Sequence, residues 1–303
     1  MTEKNYDVII IGGGPAGLSA AIYAARYKLK LLVFSKNMGG LAATAHKICN
    51  FPSYDEIKGF ELMERFTKHA EELGAPVNYD EVTKIEKKDS SFIVHTEKEK
   101  FKCKKIIFAG GTIRTRLNVP GEGKFLGKGV SYCTTCDAAF FKNKTVCVVG
   151  GSDAALTSAL LLSEYATKIY MIYRGEAFVR GDPTWVDAVN KDKKITKMFK
   201  EEIAEIIGDK SVEKIKLKSG KELKLDGVFI EIGGVPETGL LKELDIETDN
   251  KGYIIVDKEQ KTNIAGLFAA GDITNNKLKQ IVTAAAEGAV AAYGAYKEIK
   301  EGK

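Results

Sequence analysis

The feature that most constrains the fold of this 303-residue chain is a strand, a glycine-rich turn and a helix that follow one another directly. Residues 6–11 form an apolar, β-branched run, which is typical of a buried parallel strand. They lead into Gly12-Gly13-Gly14-Pro15-Ala16-Gly17, and residues 18–27 are Ala-rich and helical in pattern. In a G-x-G-x-x-G turn the glycines permit the tight turn, close approach of a pyrophosphate and helix–strand packing. The sequence therefore predicts a dinucleotide site with its phosphates at the helix N-terminus.

The residues that follow the second predicted strand depart from this pattern. An acidic residue normally binds a ribose after that strand, here residues 30–34, but this chain has Ser35 and Lys36. A serine makes one hydrogen bond where a carboxylate makes two, so we expect a weaker ribose contact. A large dinucleotide has many other contacts.

A second strand, glycine turn and helix occurs in the middle of the chain. Residues 145–149 are a buried-type strand, followed by Gly150-Gly151-Ser152-Asp153-Ala154-Ala155 and a helix through Tyr165. The next strand, residues 168–173, ends in Arg174, with Arg180 nearby and no acid at its tip. An arginine there suits a 2′-phosphate, so the pattern favours NADPH over NADH. The alternative is that both arginines are ordinary surface charges.

Between the two motifs lies Cys133-Thr134-Thr135-Cys136-Asp137. Two cysteines at this spacing can close a small disulfide ring or open to a dithiol whose thiolate is the reactive species. A carboxylate within reach, here Asp137, can move a proton on or off a leaving thiolate. A structural zinc site is disfavoured, because the other cysteines are scattered and the three histidines show no paired spacing with them. Chance spacing is the other alternative, and the nucleotide motifs weigh against it because they supply an electron source.

Composition limits the class of protein. The chain is 44% hydrophobic and 29% charged, has a formal net charge of +5, and is long enough for about two domains. Its lysines are interleaved with acids, so nucleic-acid binding is not expected. We expect no membrane span, no targeting peptide and no metal. The five cysteines lack a disulfide-framework pattern, which indicates a reducing, cytoplasmic location.

The remaining segments predict further elements of an α/β fold. We expect an amphipathic helix over 57–73, with Phe60, Met63, Phe66 and Ala70 on one face. Alternation over 76–86, 91–96 and 99–102 predicts a small antiparallel sheet, and strands are expected at 105–112, 225–236, 253–256 and 264–270. A helix is expected over 280–296, and its start would favour negative charge on a bound ring. Asp272 lies in the turn before it and, taken alone, could equally be a capping acid.

These motifs together resemble the low-molecular-weight thioredoxin reductases, a family of two-domain flavoproteins, over essentially the whole chain. The similarity also includes Gly39-Gly40-Leu41, Asn50-Phe51-Pro52 and Ala269-Ala270-Gly271-Asp272. The resemblance implies an α/β fold of two Rossmann-like nucleotide-binding domains (three-layer ββα), the second inserted into the first. The FAD domain would comprise residues 1–113 and 242–303. The NAD(P)H domain, residues 114–241, would carry the CxxC and rotate about hinges near 112–118 and 239–245.

The resemblance also implies the site residues, the reaction and the partners. Hydride would pass from NADPH to FAD, then to Cys133–Cys136, and then to thioredoxin or a similar protein disulfide, with Asp137 as proton donor. The family typically forms homodimers. NADPH would contact Gly151, Ser152, Asp153, Ala154, Arg174 and Arg180. FAD would contact Gly12, Gly14, Pro15, Ala16, Gly17, Ser35, Lys36, Gly40, Leu41, Asn50, Val82, Gly110, Asp272, Lys279, Gln280 and Ile281.

Departures from the family pattern keep other functions open. Tyr173-Arg174-Gly175 stands where the family usually has His-Arg-Arg, so one phosphate-binding arginine is missing. Thr157-Ser158 replaces a usually acidic pair, and Cys49 replaces a usual Glu. The alternatives are the same flavin and dithiol chemistry with another electron donor, a flavin-dependent dithiol oxidase that passes electrons to oxygen, or a non-catalytic redox-sensing flavoprotein. The intact Cys-x-x-Cys-Asp argues against a sensor, which needs no proton donor.

Overall fold

A computed structural model describes residues 4–302, and the chain forms two units in it. The first unit comprises the described parts of Met1–Ile113 and Val235–Lys303, and the second is Arg114–Gly234. The second unit is therefore inserted into the first. The chain returns to the first unit at Val235, earlier than the expected residue 242. Leu241, which lies between these two positions, is fully buried in the hydrophobic core of the first unit.

In the N-terminal part of the first unit, strands and helices alternate as far as Asn78, and four further strands follow. In chain order the elements are β1 (Lys4–Ile11), α1 (Pro15–Arg26), β2 (Leu31–Phe34), a 3₁₀ helix (Gly40–Thr44), α2 (Gly59–Glu72), β3 (Val77–Asn78), β4 (Val82–Lys88), β5 (Ser91–Thr96), β6 (Lys100–Phe108) and β7 (Thr112–Arg114).

The second unit follows the same strand–helix alternation and adds a small meander. Its elements are β8 (Val130–Ser131), α3 (Thr134–Asp137), a 3₁₀ helix (Ala138–Phe141), β9 (Thr145–Val149), α4 (Asp153–Tyr165), β10 (Lys168–Tyr173), α5 (Pro183–Lys191), β11 (Ile195–Phe199), β12 (Ile203–Ile207), β13 (Lys214–Leu217), β14 (Glu222–Lys224) and β15 (Gly227–Ile230). The return adds β16 (Gly234–Pro236), a 3₁₀ helix (Gly239–Leu244), β17 (Leu267–Ala269) and α6 (Ile281–Lys300).

The first unit is built on a seven-stranded sheet of order β3-β2-β1-β6-β5-β4, with β17 also paired to β6. Strand β6 pairs in parallel with β1 along most of its length, with β5 through residues 100–103 and with β17 through residues 106–108. The antiparallel strands β4 and β5 thus extend the parallel sheet. The two separate strands expected at 99–102 and 105–112 are one continuous strand.

The second unit has a parallel sheet of order β11-β10-β9-β15-β8, and a three-stranded antiparallel sheet β12-β13-β14. The apolar residues of β9, β10 and β15 are buried on both faces, as the continuous β-branched runs predicted. The predicted α/β class, with two Rossmann-like units and the second inserted into the first, is confirmed.

Several local predictions were wrong in detail. Helix α2 begins at Gly59, and Phe60 is 56% exposed rather than on the buried face with Met63 and Ala70. The segment 76–86 is divided between β3, which pairs in parallel with β2, and β4. Residues 253–256 form no strand, and Ile254 only makes isolated bridges to Thr248 and Thr274. Short segments such as these are decided by long-range packing, which alternation in a single sequence does not report.

The segments that connect the units, β7 and β16, pair with each other as a two-stranded sheet. The first predicted hinge, 112–118, begins with β7. The second crossing lies at residues 234–236, whereas 239–245 contains a 3₁₀ helix with Leu241 in the core of the first unit. Within residues 4–302, no helix is both long and apolar enough to span a membrane.

Helices α1 and α6 pack closely because both are rich in small residues. Gly288 of α6 lies against the backbone of Ala16 in α1, so that a side chain at position 288 would meet the Ala16 carbonyl. This contact holds α1 directly behind the first glycine turn.

Gly288→Ala is expected to destabilise the first unit by about 1–3 kcal/mol, because an overpacked contact must push two backbones apart. Displacement of α1 should also weaken binding of the flavin that the resemblance implies. Thermal unfolding and the flavin-to-protein absorbance ratio measure both effects. Val290→Ala, at an exposed position on the same helix, is the matched control and should change stability by less than about 0.5 kcal/mol. Equal behaviour of the two variants would contradict the close-packing argument.

Candidate active site

The cysteine pair forms a disulfide, Cys133–Cys136, with the two Cα atoms 5.3 Å apart. Cys133 is the N-cap of the short helix α3, and the backbone N–H groups of Cys136 and Asp137 donate to its carbonyl, each at 3.2 Å. A tight turn of this kind brings side chains three residues apart onto the same side of the chain. The predicted redox pair is therefore closed by local backbone geometry.

Asp137 is oriented beside the disulfide by a residue that the sequence analysis did not select. The Ser131 hydroxyl donates to Asp137 Oδ2 at 2.6 Å, and Ser131 Oγ accepts from the Cys133 backbone N–H at 3.0 Å. Ser131 is buried at the end of β8. One serine thus links the carboxylate of Asp137 to the backbone of the first cysteine, and the role of Asp137 as proton donor stays a prediction.

A second carboxylate that the sequence analysis missed, Glu231, lies beneath α3. Its Oε1 accepts hydrogen bonds from the Thr134 hydroxyl at 3.4 Å and the Ser158 hydroxyl at 3.2 Å, and its Oε2 accepts from Arg114 Nη1 at 3.0 Å. Glu231, Thr134 and Ser158 are all at least nine-tenths buried. Burial raises the pKa of Glu231, and the Arg114 guanidinium opposes that rise. A Glu in a strand run, Ile230-Glu231-Ile232, was the available signal.

A third carboxylate, Glu122, joins the start of the second unit to the residue before the cysteine pair. It accepts from the backbone N–H groups of Leu117 at 2.9 Å and Asn118 at 2.6 Å, and from the hydroxyl of Tyr132. Burial, together with the hydrogen bond to Glu122, raises the pKa of the Tyr132 phenol. The phenol therefore stays protonated and acts as a fixed hydrogen-bond donor beside Cys133.

The first glycine turn has the close approaches that a dinucleotide cradle requires. Gly12 has φ +116°, and the position where its Cβ would lie is occupied by the carbonyl of Ala109, next to Gly110. Gly17 likewise packs on the Gly12 carbonyl, and Gly40 of the first 3₁₀ helix faces Gly14. Helix α1 has no side-chain cap and no acid in its first turn, so no carboxylate competes there for an anion. These residues fit a bound pyrophosphate.

Four of the residues predicted to contact FAD lie in different surroundings. Ser35 is buried against Gly13, and its hydroxyl donates to the Asn37 carbonyl at 2.5 Å, so its proton is already used. Lys36 forms ion pairs with Glu81 and Glu237, each at 3.1 Å. Leu41 is 44% exposed in the 3₁₀ helix, whereas Val82 is buried at the start of β4. The FAD contacts assigned to these four positions stay predictions.

The C-terminal segment of the first unit brings its predicted residues together around the start of α6. Asn50 Nδ2 donates to Gln280 Oε1 at 3.0 Å, and Gln280 caps α6 just before Ile281. Lys279 Nζ donates to the carbonyl of Asp272 at 3.2 Å and to that of Thr274. Burial raises the pKa of Asp272 and lowers that of Lys279. Asp272 makes no capping contact with α6 (the cap is Gln280), so its carboxylate is not used for capping there.

The glycine turn of the second unit resembles that of the first, except that the ring of Tyr173 lies against it. Gly150 has φ +142° and packs on the carbonyl of Glu231, and the ring of Tyr173 covers Gly151 and Gly175. Asp153 Oδ1 accepts from the Asp182 backbone N–H at 2.6 Å. Ser152 is the N-cap of α4 ahead of Asp153 and Ala154, and its backbone pairs with that of Arg180.

Both predicted phosphate-binding arginines lie at this turn. Arg174 follows β10 directly, and both Arg174 and Arg180 are exposed. Two exposed cations beside the loop that follows Gly150 and Gly151 fit a phosphorylated nucleotide. The nucleotide contacts themselves stay predictions.

Two Rossmann-like units, one of which carries a disulfide beside a carboxylate, define a disulfide oxidoreductase. The chain belongs to the pyridine nucleotide-disulphide oxidoreductase family, whose sequence model matches residues 6–288. The thioredoxin reductase of Treponema pallidum (strain Nichols) is 42% identical over 300 residues, which cover 97% of each chain. The resemblance identified from the motifs is thereby confirmed. The family implies flavin and nicotinamide cofactors.

Solved structures agree with this assignment. The thioredoxin reductase of Lactococcus lactis superimposes with a TM-score of 0.94 at 37% identity, over 98% of this chain and 99% of that one. A ferredoxin-flavin thioredoxin reductase from Clostridium acetobutylicum is 35% identical over 99% of both chains, with a TM-score of 0.55. A relative named for a ferredoxin therefore shares this fold.

Proposed function

We propose that this chain is a thioredoxin-disulfide reductase that uses FAD in the first unit and NADPH in the second. The observation that carries the proposal is the Cys133–Cys136 disulfide, with Asp137 held beside it by Ser131. The names of the relatives support thioredoxin, or a similar protein disulfide, as the substrate. A homodimer and a cytoplasmic location, both expected from the sequence analysis, stay predictions.

The chain's own residues would divide the work of cofactor binding. When bound, NADPH would supply a hydride and FAD would relay its two electrons to the disulfide. The backbone around Gly12–Gly17 would bind the pyrophosphate of FAD, and Asp272 and the N-terminus of α6 would orient the rest of it. Gly151, Ser152 and the two exposed arginines, Arg174 and Arg180, would bind NADPH.

The dithiol step needs only residues of the second unit and the substrate. One thiolate of the opened pair attacks a sulfur of the thioredoxin disulfide, forms a mixed disulfide and releases a substrate thiolate. The second cysteine then attacks the mixed disulfide, re-forms Cys133–Cys136 and releases the second substrate thiol. Two electrons and two protons pass to thioredoxin, and Asp137 supplies or removes a proton at the sulfur.

A donor other than NADPH is the second candidate, favoured by a specific feature. Gly175 offers no side chain where the family usually has an arginine, and the ring of Tyr173 covers this position. The Clostridium acetobutylicum relative, which has the same fold, is called a ferredoxin-flavin thioredoxin reductase. The hinge motion inferred from the resemblance would serve either donor.

An anaerobic titration of the flavin-loaded protein separates the two candidates. NADPH and then NADH are added, and the oxidised flavin absorbance band is followed. Rapid bleaching by NADPH, with slow or no bleaching by NADH, is expected. If neither nucleotide bleaches the flavin while dithionite does, NADPH is the wrong donor, and a reduced ferredoxin becomes the next reagent.

The missing arginine gives a sharper prediction. An arginine at position 175 must displace the ring of Tyr173, so we expect the gain only when a smaller ring replaces it. In Tyr173→His/Gly175→Arg the apparent KM for NADPH should fall by about 10-fold, because one charged hydrogen bond to the 2′-phosphate is added. The KM for NADH should not change. Steady-state kinetics with Tyr173→His alone as the matched control checks this, and an equal fall for both nucleotides would contradict a 2′-phosphate at this position.

A further inference from the structure

The dithiol chemistry described above makes no use of Glu231, although this carboxylate lies directly against the redox helix. Its three hydrogen-bond donors come from three different elements: Arg114 at the end of β7, Thr134 between the two cysteines, and Ser158 in α4. Glu231 itself follows β15, and its backbone N–H donates to the Val149 carbonyl at 2.9 Å. One side chain thus joins the connecting strand, the redox helix, the helix of the second glycine turn and the central sheet.

A buried ion pair is a costly way to achieve packing alone. Two hydroxyl donors could be satisfied by a neutral amide, and removing a charge from water is unfavourable unless the charge is well paired. Glu231 is 10% exposed and Arg114 25% exposed at the side chain, with Nη1 and Oε2 3.0 Å apart. Hydrogen bonding alone therefore does not explain why this position carries an ion pair, and the charges themselves require an explanation.

Thr134, which Glu231 contacts, follows Cys133 directly, so the charges of the pair can act on a thiolate that forms when the disulfide opens. Reduction adds two electrons and two protons, and loss of one proton leaves a thiolate next to Thr134. A nearby negative charge disfavours a thiolate and a nearby positive charge favours it. In the Glu231–Arg114 pair these effects oppose each other, so removal of either charge changes the net charge of the pair by one unit.

Other charged or titratable groups around the pair are the same in every variant considered below. Asp137, bonded to Ser131, adjoins Cys136, and Glu122 reaches the pair through Tyr132. Arg116 interacts electrostatically with Tyr132. Differences between variants at Glu231 and Arg114 therefore report on this ion pair.

We propose that Glu231, balanced by Arg114, is a positioning residue for the redox pair that sets the ionisation of the opened dithiol and the equilibrium between disulfide and dithiol. The inference deepens the proposed function at the same disulfide. It is tested without NADPH or thioredoxin, so its failure and the failure of the proposed function are distinguishable.

The experiment measures the cysteine pair in the flavin-loaded protein under anaerobic conditions. In the first measurement, mixtures of reduced and oxidised dithiothreitol equilibrate with the protein. Reduced dithiothreitol gives two electrons and two protons to Cys133–Cys136 and closes to its own cyclic disulfide. In the second, the reduced protein is alkylated with iodoacetamide across a pH series. Peptide mass spectrometry quantifies Cys133 and Cys136 in both, separately from the exposed Cys49.

Opposite shifts are expected from the two partners of the ion pair. Glu231→Gln keeps an acceptor for Thr134 and Ser158 but removes the negative charge of the pair, so the midpoint pH of alkylation should fall. At a pH above the thiol pKa, the exchange equilibrium should move toward the dithiol by about 3- to 10-fold, which corresponds to a fall in the thiol pKa of about 0.5 to 1 unit. Arg114→Gln removes the positive charge and leaves the Glu231 carboxyl, whose pKa burial raises, so the midpoint should rise and the disulfide be favoured over the part of the pH series in which Glu231 is ionised.

The matched control is Ser158→Ala, which removes a hydrogen bond to the same Glu231 oxygen without changing any charge. It should leave the midpoint and the exchange equilibrium unchanged, even if it lowers thermal stability. If Glu231→Gln does not fold, Arg114→Gln decides at the pH values where Glu231 is ionised, because there the proposal requires the midpoint to rise. Wild-type midpoints in both variants, or shifts of both in the same direction, would overturn the proposal, since a loosened helix α3 has no reason to respond with opposite signs.

Discussion

Cys136→Ser is expected to reduce thioredoxin turnover by at least about a thousandfold, because a serine oxygen can neither close the disulfide nor resolve a mixed disulfide. Cys133→Ser should do the same. In the structure these two sulfurs form the disulfide on which the proposed electron transfer to a protein depends. The flavin should remain bound in both variants, because its predicted contacts all belong to the first unit.

The measurement is NADPH-dependent reduction of thioredoxin, followed by thiol release, beside the visible flavin spectrum of each variant. Cys49→Ser is the matched control, because Cys49 is an exposed free cysteine of the same chain. It should retain thioredoxin turnover. Normal turnover in either Cys133→Ser or Cys136→Ser would contradict the dithiol mechanism, whatever electron donor the protein uses.

The sequence was enough to predict the parts of this fold that depend on local chemistry. Buried parallel strands are uniform apolar runs, so the bounds of β9 and β10 were predicted to the residue. The glycine turns were recognisable because positions such as Gly12 and Gly17 leave no space for a side chain. The cysteine spacing predicted the disulfide because a single turn of backbone brings the two sulfurs together.

The remaining parts depend on contacts between residues far apart in the sequence. Strand β6 has two different partners along one edge, and the pattern of residues 99–108 does not reveal that they form a single strand. The role of Glu231 depends on Thr134, 97 residues away, and on Arg114, 117 residues away. Ser131 and Tyr132 directly precede the cysteine pair in the sequence, yet their roles required the positions of Asp137 and Glu122.

Asp137→Asn is expected to slow thiol–disulfide exchange with thioredoxin by about 10²- to 10⁴-fold, the usual contribution of a positioned general acid or base. An asparagine can still accept the Ser131 hydrogen bond, so the geometry around Cys133 should persist while proton transfer is lost. Flavin reduction by NADPH, measured by rapid mixing, should keep its wild-type rate, because no contact of Asp137 involves the nucleotide turns.

Ser131→Ala distinguishes proton transfer from orientation. This variant keeps the carboxylate but removes the hydroxyl that joins Asp137 Oδ2 to the Cys133 backbone N–H. Thioredoxin turnover should fall by only about 10-fold, because a single hydrogen bond from a hydroxyl to a carboxylate is worth about 1.5 kcal/mol. Turnover of Asp137→Asn within a factor of two of wild type would assign the proton to solvent. Asp137 would then be a structural acceptor for Ser131, and the pH profile of thioredoxin reduction would be the same in both variants and the wild type.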